Sequence, residues 1–167
     1  MTEYEFGEKL EMHKNTVYRL AFSYLKNVQD AEDVTQEAFL KLYRCDIDFP
    51  APENEKAWLI RVTANLCKNH FRANKLRKLI PFYDNTAVDE IPVFMESDLE
   101  TLDLLDALKP KYRAVMYLFY YERYRTNEIA AMLGKNENTI RSQLARGRAQ
   151  LREILTEPNG GFVYEQI

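Results

Sequence analysis

The feature that most constrains this chain of 167 residues is the spacing of its apolar positions, which recur every three to four residues. Near the N-terminus, the positions that fall on one helical face are Phe6, Leu10, Val17, Leu20, Ala21 and Tyr24. This spacing is typical of an amphipathic α-helix, whereas a half-buried strand alternates apolar and polar residues. No alternation of any length is present. The sequence therefore predicts an all-α protein.

Two further helices are predicted in the first half of the chain. One begins at Asp30, a residue suited to an N-cap and followed by acidic residues, and ends near Tyr43. A loop over 46–53 contains Pro50 and Pro52. The next helix runs from about 55 to 78, with apolar positions at Trp58, Leu59, Val62, Leu66 and Phe71. We expect Phe71 to lie in the core. For Trp58, a place in the core and a role in base binding both stay open, because a tryptophan at a helix start can be half-buried.

A change of composition divides the chain into two parts. Residues 81–96 contain two prolines and four acidic residues without a sustained period, which is typical of a linker. Helical periodicity returns near Asp98, and Pro110 suits the first turn of a further helix whose apolar face is Ala114, Val115, Leu118 and Phe119. Two short helices, divided at Gly134 and closed by Pro158, are predicted to follow. We predict two small helical domains, 1–80 and 98–157, joined by an acidic linker, 81–97, and followed by a tail, 158–167.

The distribution of charge is more informative than the net charge of −3. Residues 56–78 contain seven basic and no acidic residues, residues 79–108 contain eight acidic and no basic residues, and residues 135–152 contain five basic residues and one acid. Two basic segments separated by an acidic one suit a protein that touches a polyanion at two places.

Several classes of protein are disfavoured by the sequence. The longest nearly apolar run, 114–121, is shorter than the roughly 18 residues that a membrane span needs, and the acidic N-terminus lacks the pattern of a signal peptide. We therefore expect a cytosolic protein. The two cysteines, Cys45 and Cys67, are expected to be reduced, and with the two histidines they show no metal-ligand spacing. No phosphate-binding glycine loop or nucleophile elbow is present, so we expect no cofactor, no metal and no enzymatic activity.

Residues 126–144 have the pattern of a helix-turn-helix. Ile129, Ala130 and Leu133 would pack the first helix inward, Gly134 would allow a left-handed turn, and Asn136 would cap the second helix. Ile140 and Leu144 would hold the second helix to the first. The residues left on outward faces are Thr139, Arg141, Ser142, Ala145, Arg146 and Arg148. Small residues with arginines can enter a major groove. A solvated basic surface is the alternative, and the spacing of the motif favours DNA.

Two other surfaces leave alternatives open. In the basic segment 56–78, aromatic and amide side chains beside cations could bind unpaired bases, or the aromatics could simply be core. In the segment 30–37, Asp33 and Glu37 lie one turn apart with Gln36 beside them. Like charges at this spacing destabilise an isolated helix, and a basic partner would relieve the repulsion. From the residues alone, an ordinary solvated acidic face is the better interpretation.

Three segments together resemble one family. Residues 30–44, DAEDVTQEAFLKLYR, resemble the polymerase-binding helix of sigma-70 family proteins. Residues 57–72, AWLIRVTANLCKNHFR, resemble the helix of that family which melts the promoter and contacts the −10 element. Residues 108–155, which include TNEIAAMLG and NTIRSQLARGRAQLREIL, are similar to its −35-binding domain. The short linker and the absence of other domains resemble the extracytoplasmic-function (ECF) group.

The resemblance implies that the chain is an RNA polymerase sigma factor that directs core polymerase to promoters and helps to melt the −10 region. The implied polymerase-binding residues are Asp30, Asp33, Gln36 and Glu37. The implied −10 contacts are Trp58, Arg61, Asn65, Lys68, Asn69 and Arg72, with the loop 46–53 helping to hold a flipped base. The implied −35 contacts are Thr139, Arg141, Ser142, Ala145, Arg146 and Arg148. Ala145 and Asn69 depart from the residues common in the family, so the promoter sequence is left open.

The implied partners are core RNA polymerase, through the clamp helices of its largest subunit and its flap region, promoter DNA, and an anti-sigma factor. Two alternatives are a stand-alone helix-turn-helix regulator and an interaction module of the anti-sigma or adaptor type. The face of residues 30–37 separates them, because a regulator that only binds DNA has no need of a polymerase-binding surface.

Overall fold

A computed structural model of the chain describes residues 1–77, 105 and 107–156. The helices are α1 (Glu3–Leu25), α2 (Val28–Arg44), α3 (Pro52–Arg77), α4 (Pro110–Met116), α5 (Thr126–Leu133) and α6 (Glu137–Thr156), and a π-helical segment, Tyr117–Tyr121, continues α4. No strand is present in the described ranges, so the prediction of an all-α fold is confirmed. The predicted linker, the helical start near Asp98 and the tail all lie outside the described residues.

Side-chain caps fix the starts of the first two helices. Thr2 and Glu5 form a capping box at α1, in which each side chain accepts a hydrogen bond from the other's backbone N–H. The Asn27 side chain caps α2 by accepting from the Asp30 N–H at 2.8 Å. The predicted cap at Asp30 is therefore wrong. The helix begins at Val28, two residues before Asp30, and Asn27 is its cap. Helix α3 also begins earlier than predicted, with Pro52 as its first residue.

Helices α1, α2 and α3 pack together around an apolar core. Leu20, Leu42, Leu59 and Ile60 are fully buried there. Phe71, which we expected in the core, is 40% exposed. That prediction is wrong because the fully buried positions of α3 end at Cys67, and Phe71 lies one turn beyond it.

A buried polar contact joins α1 to the start of α3. His13 and Glu55 are both buried, and the Nε2 atom of His13 lies 3.1 Å from a carboxylate oxygen of Glu55. The Lys9 ammonium contacts the other oxygen of the same carboxylate. Burial lowers the pKa of His13, and the opposing attraction of Glu55 does not cancel the effect. The folded state therefore favours neutral His13.

This shift predicts how stability depends on pH. Below a pH of about 6.5, the unfolded chain binds a proton at His13 that the folded chain resists, so stability falls as the pH is lowered. Urea unfolding between about pH 7.5 and 5.5 should show this loss, and His13→Gln should remove part of it. An unchanged slope in His13→Gln would contradict the prediction.

The second half of the chain packs around Tyr117, Leu118, Ile129 and Ile140, which are fully buried. Pro110 occupies the first turn of α4, as predicted. The final helix, α6, has 20 residues and is not the short helix we expected. Its Gly147 allows close packing, since a Cβ atom there would lie 3.1 Å from the Met116 Cγ atom.

The two halves contact each other through helix pairs α1–α4 and α3–α5. The polar contacts join Arg19 to Tyr121, Lys56 to Glu122, Lys68 to the Leu133 carbonyl, and Arg113 to the Tyr24 carbonyl. None of these contacts was predicted, because they join residues that are 65 to 102 positions apart in the chain.

Candidate nucleic-acid and polymerase-binding surfaces

The acidic face of α2 points to solvent. Ala31, Val34 and Ala38 are buried against the neighbouring helices. The helical period consequently turns Asp33, Gln36 and Glu37 outward, and all three are exposed. Glu37 makes a 3.7 Å ion pair with Lys41 in the next turn. An exposed pair of this kind contributes little to stability, so it leaves the carboxylate available to a basic partner.

Asp30 differs from the other predicted polymerase-binding residues. Its carboxylate lies 3.1 Å from the Nε2 atom of His70, on α3. The Asn74 amide nitrogen lies 2.8 Å from the same ring nitrogen. Asp30 therefore joins the start of α2 to the side of α3, in addition to being partly accessible.

An apolar groove lies beside the acidic face and was missed by the sequence reasoning. It has a volume of about 370 Å³, and its lining includes Phe6, Leu10, Tyr18, Gln36, Phe39 and Leu40. Leu40 is 42% exposed. The sequence signal that could have indicated this groove is Leu40, an apolar residue that lies outside the buried face of α2.

The predicted −10 surface runs along α3. Arg61, Asn65, Asn69 and Arg72 are all exposed. Lys68 is half-buried, and its ammonium lies 3.5 Å from the Leu133 carbonyl.

Trp58, at the start of α3, is half-buried. Its ring packs edge-on against Phe49, in the preceding loop, with centroids 5.8 Å apart. A cavity of about 290 Å³ lies between this loop and α1, lined in part by Lys9, Met12 and Phe49.

The helix-turn-helix has the predicted geometry. Gly134 adopts a left-handed conformation with φ of 61°, which is sterically unfavourable for other residues. The Asn136 side chain accepts from the Asn138 N–H at 2.8 Å, which caps α6. Ile140 and Leu144 are buried. The six residues predicted to face outward are all exposed: Thr139, Arg141, Ser142, Ala145, Arg146 and Arg148.

Neighbouring side chains hold the arginines of this surface. The Arg141 guanidinium donates to Glu137 at 2.9 Å. Glu137 also accepts from the Thr126 hydroxyl, and these two hydrogen bonds, led by that of Thr126, lower the pKa of the Glu137 carboxyl.

Arg146 lies beside α4, and Arg148 is hydrogen-bonded to the π-helical continuation of α4. A hydrogen bond with Arg146 lowers the pKa of Tyr112, and Arg148 donates to the Tyr120 hydroxyl at 3.2 Å. Restricting a side chain before it binds reduces the entropy lost on binding.

A second apolar groove lies in the C-terminal half. Its volume is about 540 Å³, and its lining includes Leu105, Met116, Tyr117, Tyr120, Leu151 and Leu155. Tyr120 and Leu155 are exposed. The sequence analysis did not identify this groove, because its walls come from three separate segments.

Other kinds of site are not found in the described part of the chain. Across residues 1–77, 105 and 107–156, no group of side chains could hold a metal ion, and no helix has the length and apolarity that crossing a bilayer requires. Cys45 and Cys67 are free thiols, and burial raises the pKa of Cys67 to about 12.

Comparisons with known proteins identify the family. Residues 10–77 match Sigma-70 region 2, and residues 98–151 match Sigma-70, region 4. The chain is 35% identical over 160 residues to the ECF RNA polymerase sigma factor SigE of Mycolicibacterium smegmatis, which covers 91% of this chain and 62% of that protein. It is 30% identical over 148 residues to the RNA polymerase sigma factor SigV of Bacillus subtilis, and the aligned part covers 87% of this chain and 87% of SigV. The chain belongs to the sigma-70 family of RNA polymerase sigma factors, in its ECF group.

Solved structures share the fold. The chain is similar to the sigma factor RpoE from Bartonella quintana, solved with the anti-sigma factor NepR, with a TM-score of 0.71, 21% identity and coverage of 93% and 99% of the two chains. CnrH, solved with the cytosolic domain of CnrY, gives a TM-score of 0.63 at 22% identity, covering 92% and 89%. These likenesses confirm the two-domain helical architecture.

Proposed function

We propose that this chain binds core RNA polymerase, directs it to specific promoters and helps to melt their −10 region, without catalysing a reaction itself. The observation that carries the proposal is an exposed acidic face on α2 in the same chain as two exposed basic surfaces, on α3 and α6. A regulator that only binds DNA would need the basic surfaces alone. The proposed functional units are 1–80 and 98–157, joined by the linker 81–97.

Polymerase binding is proposed for Asp33, Gln36 and Glu37, with Asp30 contributing at the edge of the surface. The carboxylates would pair with basic residues of the clamp helices in the largest polymerase subunit. The groove beside Gln36 and Leu40 would receive an apolar side chain of the same partner, since charged pairs alone give modest affinity. An acidic face next to an apolar groove therefore suits a basic amphipathic helix.

Recognition of the −10 element is proposed for the exposed residues of α3 together with Lys68 and Trp58. Amide side chains at Asn65 and Asn69 can bond to base edges, and Arg61 and Arg72 can hold phosphates. Opening the duplex costs a few kcal/mol for unstacking. A base flipped into the cavity beside Phe49, in the loop before α3, would offset part of that cost.

Recognition of the −35 element is proposed for α6, whose N-terminal turns would enter the major groove. Arg141 and Arg146 would contact base edges, and Thr139, Ser142 and Ala145 leave room for the helix to approach. Arg148 would contact the backbone. With alanine at position 145, base contact would depend mainly on the two arginines.

Two further partners are proposed for the C-terminal half and for the chain as a whole. The groove beside Tyr120 and Leu155 would bind an apolar helix of the polymerase flap region, because it is a large exposed apolar surface in the −35-binding half. An anti-sigma factor is proposed because the similar RpoE was solved in complex with an anti-sigma factor, NepR, and the similar CnrH in complex with the cytosolic domain of CnrY. The site of action would be the cytosol, where bacterial polymerase works.

Gel filtration with purified core polymerase tests the proposal. The chain should co-elute with core polymerase at micromolar concentration and should make the polymerase retain promoter DNA. A folded chain that binds DNA but elutes separately from the polymerase would support a stand-alone regulator instead.

A further inference from the structure

We propose that Arg123, in the loop between the π-helical segment and α5, contacts the phosphate backbone of DNA beside the −35 element. The inference rests on the proposed function, because it adds a residue to the proposed −35-binding surface. Arg123 was not among the residues predicted from the sequence to contact DNA. Its contact would hold the helix-turn-helix on the duplex without reading the base sequence.

The backbone of Arg123 adopts a conformation that is costly for an arginine. Its φ is 63°, in the left-handed region, where the Cβ atom of any residue except glycine is crowded. Arg123 directly follows Glu122, the C-cap residue of the π-helical segment. Glycine is the usual residue at a left-handed position after a helix. Residues that are held in such a conformation without being glycine cluster at functional sites.

The two neighbours of Arg123 fix this conformation. The Glu122 N–H donates to the Tyr117 carbonyl at 3.1 Å, and the Tyr124 N–H donates to the Leu118 carbonyl at 3.0 Å. The backbone is therefore held on both sides of Arg123, while Arg123 itself is exposed.

The side chain of Arg123 makes no contact that would offset the strain. Across the described ranges, 1–77, 105 and 107–156, no hydrogen bond, ion pair or ring contact holds its guanidinium. The carboxylates nearest to it in the sequence are engaged elsewhere. Glu122 accepts from the Lys56 ammonium at 2.6 Å, and Glu128 accepts from the Arg125 N–H at 2.7 Å. Arg123 is therefore an exposed cation that is available to an anionic partner.

The position of Arg123 indicates which anion it would meet. The hydroxyl of Thr126, the first residue of α5, donates at 2.6 Å to Glu137, the first residue of α6. Glu137 also holds Arg141, a proposed −35 contact. Arg123 is three residues before Thr126, so their Cα atoms are at most about 11 Å apart. The major groove that α6 would enter is about 12 Å wide and is bordered by the phosphate backbones. A cation so close to the first turn of α6 would reach a backbone phosphate.

The substitution Arg123→Gly tests the inference, because it should change stability and DNA binding in opposite directions. Urea unfolding should show a ratio of folded to unfolded chain that is about threefold higher, since relief of the strain exceeds the added freedom of the unfolded chain. The holoenzyme should bind promoter fragments, selected by their RNA 5′ ends, about fivefold more weakly at low salt. The loss should be equal for correct and mismatched −35 elements, and the slope of log K against log salt should become shallower by about 0.9.

Three further variants separate charge from backbone effects. Lys26 is also an exposed basic residue with a positive φ, 53°, but it lies at the end of α1. Lys26→Gly should leave promoter affinity and the salt slope unchanged. Arg123→Asn should lose the same slope as Arg123→Gly, which excludes the flexibility of glycine as the cause, because asparagine tolerates a left-handed conformation. Arg123→Lys keeps the charge and should keep the wild-type slope.

Several results would overturn the inference while leaving the proposed function intact. They are a wild-type salt slope in Arg123→Gly, a loss confined to one −35 position, and weaker binding to core polymerase with unchanged promoter affinity. A lower stability of Arg123→Gly would also contradict it, since the arginine would then have a structural role. A wild-type holoenzyme that binds no promoter would instead contradict the proposed function, and this inference with it.

Discussion

Reversing the charges of Asp33 and Glu37 to arginine is expected to weaken binding of this chain to core RNA polymerase by about 100-fold or more. Both carboxylates are exposed on α2, beside Gln36 and the apolar groove. Each reversal replaces attraction to a basic partner with repulsion, and like charges across an interface cost several kcal/mol. The folded state should tolerate the change, because neither side chain is part of the core. Titration of labelled chain with core polymerase measures the loss.

A matched variant controls for net charge. Glu11→Arg with Glu153→Arg alters two exposed carboxylates on α1 and α6. Each substitution removes one negative charge and adds one positive charge, so the net charge changes from −3 to +1 in both double variants. The control should bind core polymerase like the wild type. Equal losses in both variants would show a general charge effect, and unchanged binding in the α2 variant would show that the proposed face is not the polymerase-binding surface.

Arg146→Ala is expected to reduce discrimination between the correct −35 element and a mismatched one by about 1 to 3 kcal/mol. Arg146 is exposed on α6, beside the Tyr112 hydroxyl whose pKa it lowers, so its guanidinium is accessible to DNA. A bidentate contact to a base edge would be lost without a substitute. The measurement is the affinity of the holoenzyme for promoters that differ at single −35 positions, made at one salt concentration.

The form of the loss distinguishes two roles for Arg146. A loss confined to one promoter position would identify a base contact, while an equal loss on every sequence would identify a phosphate contact and contradict the assignment. Arg152→Ala removes an exposed arginine from the last turns of the same helix. It should leave discrimination unchanged, since it lies beyond the proposed contact residues.

The helix-turn-helix was predictable from the sequence because its determinants are local. Gly134 supplies a left-handed residue, Asn136 caps the next helix, and Ile140 lies one turn from Leu144. Each of these interactions spans a few residues, so spacing alone identifies it. The acidic face of α2 was local too, but its interpretation depended on resemblance to a family, because the same pattern also describes an ordinary solvated helix.

Other features depend on contacts between distant residues, which spacing does not encode. Phe71 fits the apolar pattern of α3, yet it is exposed because the packed part of the helix ends one turn earlier. Asp30 was predicted as the cap of α2, but Asn27 takes that role. Asp30 instead pairs with His70, which lies on α3, 40 positions further along the chain. The ion pair between Lys56 and Glu122 joins residues 66 positions apart. Such pairs become visible only when the helices are placed in three dimensions.

The central claim is that this chain gives core polymerase its choice of promoter, and transcription in vitro tests that claim most directly. Purified core polymerase would transcribe fragmented genomic DNA with and without the chain, and the 5′ ends of the RNA would be sequenced. The account predicts new start sites that appear only with the chain and share two upstream sequence elements. An absence of new start sites, with a chain that is folded and binds DNA, would contradict it.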